Sequence, residues 1–179
     1  MALEPATKSE EVDYSFKIVL LGDPAVGKTS LVKRCVDNMF TLDYIMTIGM
    51  DIRSKNVRID DKEIKLVIWD LAGQKIFQDV REVYCKGSNG AILVFDLTRQ
   101  ATLMSLHGWI QMLWRFVGKL PLAIVGNKAD LRNIREIPRE RALDFVRLSG
   151  AKYFETSAKT GESVAKTFHY IAETVLKDL

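Results

Sequence analysis

From Tyr14 onward, short apolar runs rich in β-branched residues alternate with longer stretches of helical periodicity, a pattern that predicts a largely parallel sheet with helices on its faces. Lys17–Leu21, Lys65–Ile68, Ala91–Phe95, Leu122–Val125 and Tyr153–Phe154 are close to continuously hydrophobic, as strands covered on both faces must be. Ile52–Ile59 instead mixes polar and apolar positions and runs through Asp60-Asp61-Lys62 into the next strand, which predicts an antiparallel hairpin at the sheet edge. Helices are expected at Gly27–Asn38, about Ala101–Val117, Pro138–Ser149 and about Ser163–Lys177, with Pro138 suited to an early helical position. Within the second of these, Leu106, Trp109, Ile110, Leu113 and Val117 recur at helical spacing and should face the core, leaving Trp114 off the stripe. The expected architecture is α/β: six strands, mostly parallel, one antiparallel edge strand, and helices on both faces.

Residues 1–13 carry few apolar groups and are expected to form a flexible tail, leaving 14–179 as one domain. A chain of 179 residues with 47% hydrophobic side chains suits one domain with a substantial core. The 26 basic and 23 acidic residues nearly cancel, for a net charge of +3, so composition calls for no nucleic-acid partner. Cys35 and Cys85 are the only cysteines, which excludes a disulfide framework and suits a reducing, cytoplasmic setting. No apolar run approaches the roughly 20 residues of a membrane span, and the N-terminus lacks a signal-peptide layout. His107 and His169 lie on separate expected helices with no clustered ligands and are read as structural.

Three segments carry chemistry. Gly22-Asp23-Pro24-Ala25-Val26-Gly27-Lys28-Thr29 joins an apolar strand to a helical stretch, the context of a phosphate-binding loop. Its backbone N–H groups and the helix N-terminus, with Ser30 continuing the first turn, are suited to phosphate oxygens. Lys28 would reach the β- and γ-phosphates, and the Thr29 hydroxyl would ligate Mg²⁺. Second, Leu66–Trp69 ends in Asp70, an acceptor for the same ion through water. Gly73 lets the backbone approach a terminal phosphate, and Gln74 can both donate to and accept from an attacking water. Third, Asn127-Lys128-Ala129-Asp130 and Ser157-Ala158-Lys159 each follow a strand, at the sheet edge where open α/β folds bind ligands. The Asp130 carboxylate matches the two N–H groups of guanine's amidine edge, whereas adenine presents the wrong pattern.

In order and spacing, from about Phe16 to the end of the chain, these elements resemble the Ras-superfamily GTPases. The resemblance implies a P-loop G domain that binds GTP or GDP with Mg²⁺ and hydrolyses GTP slowly, as a monomeric switch. It implies that Thr47 binds Mg²⁺ and senses the γ-phosphate. It also puts Phe40 and Lys128 against the two faces of guanine, and the Ala158 N–H on the guanine oxygen, with Ser157 and Lys159 supporting that loop. Lys28, Thr47 and Gln74 would be the catalytic set, Thr29, Thr47 and Asp70 the metal set, and Lys75–Tyr84 the second switch.

Thr47–Asp51, Leu66–Asp70 and Tyr84–Gly87 are most similar to the Rab branch, whose effectors read an aromatic triad that falls here on Ile52, Trp69 and Tyr84. Effectors, an exchange factor and a GTPase-activating protein are the partners this implies. Ile52 stands in place of the branch's usual Phe, Leu71 in place of Thr, and Gln74-Lys75-Ile76-Phe77 lacks the usual acidic and basic pair. Pro24 also departs from the branch, and its fixed φ and missing N–H narrow the room for an arginine supplied by a partner. No arginine is evident in the sequence to act in cis, which goes with hydrolysis on the order of 10⁻⁴ s⁻¹. The competing reading is a binding module that holds the nucleotide but hydrolyses it negligibly. The chain ends Lys177-Asp178-Leu179 without a cysteine, so attachment to the cytoplasmic face of a membrane is expected only through a lipidated tail beyond it.

Overall fold

The computed structural model describes residues 12–41, 49–71 and 78–179. Its elements run β1 (Tyr14–Leu21), α1 (Lys28–Asp37), β2 (Met50–Ile59), β3 (Lys62–Leu71), α2 (Gln78–Cys85), β4 (Gly90–Asp96), α3 (Gln100–Val117), β5 (Leu122–Asn127), α4 (Arg139–Arg147), β6 (Lys152–Glu155) and α5 (Val164–Lys177). A 3-10 turn at Arg132–Ile134 lies between β5 and α4.

The strands form one sheet in the order β2-β3-β1-β4-β5-β6. β2 pairs antiparallel with β3, Met50 opposite Leu71 and Ile59 opposite Lys62, and the other pairings are parallel. The expected edge hairpin is therefore present, turning at Asp60, whose φ of 52° is left-handed, a conformation Asp tolerates. Asp13 prolongs the β1–β3 pairing, its N–H donating to the Glu63 carbonyl at 2.8 Å and its carboxylate accepting from the Glu63 N–H at 2.8 Å.

Successive strand residues face opposite sides of a sheet, so the chain builds two cores. Ile18, Leu20, Leu66, Ile68, Ile92, Val94 and Val125 pack against Leu31 and Val32 of α1 and Phe168, Ile171 and Val175 of α5. On the other face Val19, Leu21, Leu93, Phe95 and Ile124 meet Leu103, Leu106, Trp109, Ile110 and Leu113 of α3 with Ala142 and Val146 of α4. The α3 stripe thus faces the core, Val117 is partly buried beside it, and Trp114 is half-buried under Lys119.

Helix ends differ from expectation by one or two residues, for local reasons. Gly27 and Ser163 sit in left-handed conformations as N-caps of α1 and α5, and Pro138 is an extended N-cap that precedes α4. The helix at Gln78–Cys85 is an addition to the elements expected from periodicity, within the stretch read as the second switch.

Candidate functional site

Strand order turns about β1: the chain moves to β3 on one side and to β4 on the other. Such a reversal opens a crevice at the carboxyl ends of the strands, and the loop 22–27 emerges from β1 into it. Gly22 has φ 141°, and a Cβ there would stand 2.2 Å from the Val94 carbonyl oxygen of β4, so the loop can leave the sheet this closely only as glycine. Val26 is fully buried and fixes the inner wall. Trp109 of the α3 stripe donates its indole N–H to Asp23 at 2.9 Å, which ties the loop to α3.

Gly27 caps α1 and offers no side-chain acceptor to the first turn. The helix start at Lys28, Thr29 and Ser30 therefore has no side-chain cap from its N-cap residue, an arrangement that favours an anion. Lys28 is buried, and its ammonium donates to the carbonyls of Gly22 at 2.8 Å and Asp23 at 2.9 Å. A buried cation is thus held within the curl of the loop.

Across from it, the Thr29 hydroxyl donates to Asp70 Oδ2. Asp70 is 1% exposed, and its Oδ1 is buried without a hydrogen-bond partner among the described residues. Burial pushes its carboxyl above the ordinary range, against the lowering effects of the Thr29 hydrogen bond and the Lys28 charge. An orphaned carboxylate oxygen beside a hydroxyl is a costly arrangement for a closed core, but it is a suitable donor pair for a hard cation that takes oxygen ligands and retains water. The residues present fit Mg²⁺.

On the base side, Asn127 closes β5 and is buried. Its amide donates to the Val26 carbonyl at 3.0 Å, while its Oδ1 accepts from the Thr156 hydroxyl at 3.1 Å and the Ala158 N–H at 3.4 Å. Asn127 therefore brackets the phosphate loop to the loop after β6. Lys128 adopts φ 69° and its ammonium lies 2.6 Å from Asp96 Oδ2 at the end of β4. Asp130 accepts from the Ser157 hydroxyl at 2.6 Å, and that hydroxyl accepts from the Thr160 N–H at 3.1 Å. Arg34 of α1 donates to the carbonyls of Ala158 at 2.7 Å and Lys159 at 2.6 Å. Phe40 is half-buried and packs beside the α1/α5 core.

The structure thus gathers 23–30, Asp70, Asn127–Asp130 and Ser157–Lys159 at one sheet edge. Thr47, Gly73 and Gln74, with Lys75–Phe77 of the second switch, lie outside the described residues. Asp96, Arg99, Arg34 and Trp109 belong to the same constellation and were missed as site residues, because each acts through a partner far away in sequence. Ile52 faces Trp69 across the β2–β3 ladder and is 45% exposed. The rings of Trp69 and Tyr84 lie 6.3 Å apart, and Lys17 Nζ stands 3.7 Å over the Trp69 ring. The three positions that the resemblance assigned to an effector triad are contiguous.

A crevice with a cationic phosphate loop on one side and a guanine-matching carboxylate on the other defines a P-loop nucleotide-binding protein. The Ras family model matches residues 17–177. The Ras-related protein Rab-2B of Dictyostelium discoideum is 38% identical over 173 residues, covering 96% of this chain and 86% of its own length. Two Arabidopsis thaliana proteins, RABE1e and RABE1d, are each 36% identical and cover 100% of this chain, which spans 83% and 84% of their lengths. The chain belongs to the Ras family. It is a Rab-like small GTPase, a switch that binds GTP and GDP and hydrolyses GTP. Among the described residues no helix is long and apolar enough to cross a membrane.

Proposed function

We propose that this switch serves membrane trafficking or signalling, that it binds guanine nucleotide with Mg²⁺ in the crevice between loop 22–27 and the Asn127–Asp130 and Ser157–Lys159 loops, and that the part of residues 1–13 ahead of Asp13, which itself pairs with Glu63, is a tail outside the G domain. The observation that carries the metal assignment is the buried Asp70 carboxylate, one oxygen of which takes the Thr29 hydroxyl while the other has no partner among the described residues.

Thr29, Asp70 and Thr47 would hold Mg²⁺, which when bound neutralises charge on the β- and γ-phosphates. Lys28 and the loop N–H groups stabilise the same charge from the protein side. Asp130 pairs with the amidine edge of guanine, Phe40 and Lys128 flank its faces, and the Ala158 N–H, steadied by Arg34, meets the guanine oxygen. Gln74 and the Thr47 backbone orient the attacking water. Hydrolysis removes the γ-phosphate contacts that order the segments near Thr47 and Gly73. The surface that carries that state to an effector includes Ile52, Trp69 and Tyr84, an apolar strip with a cation over its indole. An exchange factor and a GTPase-activating protein would act at the switches.

Release of a fluorescent GDP analogue tests this reading. Slow release that quickens on chelation of Mg²⁺, with competition by GDP and none by ADP, is expected. Release indifferent to the chelator, or equal competition by ADP, contradicts it.

A further inference from the structure

Asp96 ends β4 with its side chain 1% exposed, and donors from Thr98, Arg99 and Lys128 converge on its carboxylate. The Thr98 N–H and hydroxyl reach Oδ1 at 2.9 and 2.7 Å. Arg99 Nε and Lys128 Nζ reach Oδ2 at 3.0 and 2.6 Å. Burial alone would raise this carboxyl's pKa, but the hydrogen bonds from Lys128 and Thr98 and the Lys128 charge hold it below the ordinary range. Asp96 is thus a buried anion satisfied by its own turn and by two cations.

Those cations belong to different parts of the site. Lys128 lies in the base loop. Arg99 begins the approach to α3, and its Nη2 donates to the carbonyl of Pro24 in the phosphate loop at 3.0 Å. The planar guanidinium thereby holds Asp96 through Nε and Pro24 through the adjacent Nη2, while Asp96 holds Lys128. Pro24 has no N–H and a fixed φ, and its carbonyl is the group through which Arg99 reaches that point of the loop.

We infer that Arg99 is a positioning residue for the phosphates: with Asp96 it fixes the phosphate loop at Pro24 relative to Lys128, and so sets how long the nucleoside diphosphate is retained. This deepens the proposed function and rests on guanine nucleotide occupying the crevice. With Nε on Asp96 and Nη2 on a backbone carbonyl, the role assigned to Arg99 is to steady the loop, not to act on the γ-phosphate. A lysine has a single ammonium and cannot span both acceptors in this fixed fork.

The test is the release rate of fluorescent GDP from the parent, Arg99→Ala and Arg99→Lys, with GMP and GDP competition at equilibrium. Release from Arg99→Ala about threefold to tenfold faster is expected, from the loss of the partly exposed guanidinium's hydrogen bonds to Asp96 and Pro24. Arg99→Lys should release as fast as Arg99→Ala, and GMP affinity should be unchanged, since the base loop and its Asp96 contact to Lys128 remain. A parent that retains GDP alongside unchanged release in Arg99→Ala overturns the inference alone. Full rescue by lysine, or equal weakening of GMP and GDP, also overturns it, the latter by showing general loosening of the site. A parent that retains no guanine nucleotide overturns it together with the function it rests on.

Discussion

Gly27 and Asn127 meet so closely that a Cβ on Gly27 would stand 2.2 Å from Asn127 Nδ2. Asn127 is itself buried and bonded to Val26, Thr156 and Ala158, so it has little room to retreat. Gly27 also holds φ 97°, a conformation that strains any side chain. Gly27→Ala should therefore disturb the phosphate loop and the base bracket together. A loss of GDP affinity of about tenfold to a hundredfold is expected, matching strain of about 1–3 kcal/mol, and equilibrium titration with labelled GDP measures it.

Asp130 Oδ1 accepts from the Ser157 hydroxyl at 2.6 Å, which fixes the carboxylate proposed to pair with guanine. Asp130→Asn replaces an acceptor pair by one acceptor and one donor, which matches xanthine, with a carbonyl where guanine has its amino group. The variant should lose guanine preference by at least about a hundredfold and gain xanthine nucleotide binding, read by competition between GDP and XDP.

The Arg135 guanidinium makes two hydrogen bonds to Glu155, at 2.9 and 2.7 Å, and Tyr153 donates to the same carboxylate at 3.0 Å. Burial would raise the Glu155 pKa, but the Arg135 hydrogen bonds and charge outweigh it and hold the group below its ordinary value. A depressed carboxyl stabilises the fold fully above its unfolded pKa of about 4.3 and loses that contribution as pH falls through the folded value. Glu155→Gln should be less stable at neutral pH by about 1–2 kcal/mol, and its melting temperature should fall less between about pH 5 and pH 3. Thermal melts across that range check both.

Pro24 has no N–H to offer a phosphate, and its carbonyl is bound by Arg99. If its ring narrows the approach to the phosphates, Pro24→Gly should raise hydrolysis stimulated by a GTPase-activating protein that acts on Rab-like switches, by about tenfold or more. Equal intrinsic and stimulated rates in parent and variant would dismiss the steric role of Pro24.

What could be read from the sequence follows the range of the interactions. Lys17–Leu21, Ala91–Phe95 and Leu122–Val125 announce buried strands because apolar content is local, and Gly22–Thr29 announces its loop because the geometry is built from adjacent residues. The site's Asn127, Asp130 and Ser157 were legible as short segments after strands. Asp96 was not: its meaning depends on Lys128, brought close by the β4–β5 pairing, and on Arg99 reaching Pro24, brought close by the β1–β4 pairing. Arg34 was hidden likewise, since α1 meets the Ser157–Lys159 loop only in the folded chain. Gln78–Cys85 escaped as a helix because eight residues give too short a window for the helical period to stand out.

The most direct test of the central claim is to identify the nucleotide bound to the purified protein by chromatography and then follow one turnover of loaded GTP with Mg²⁺. Bound guanine nucleotide, slow conversion of GTP to GDP, and loss of that conversion in Gln74→Leu are predicted. Guanine nucleotide retained without conversion would instead support a binding module, and failure to load any guanine nucleotide would contradict the account.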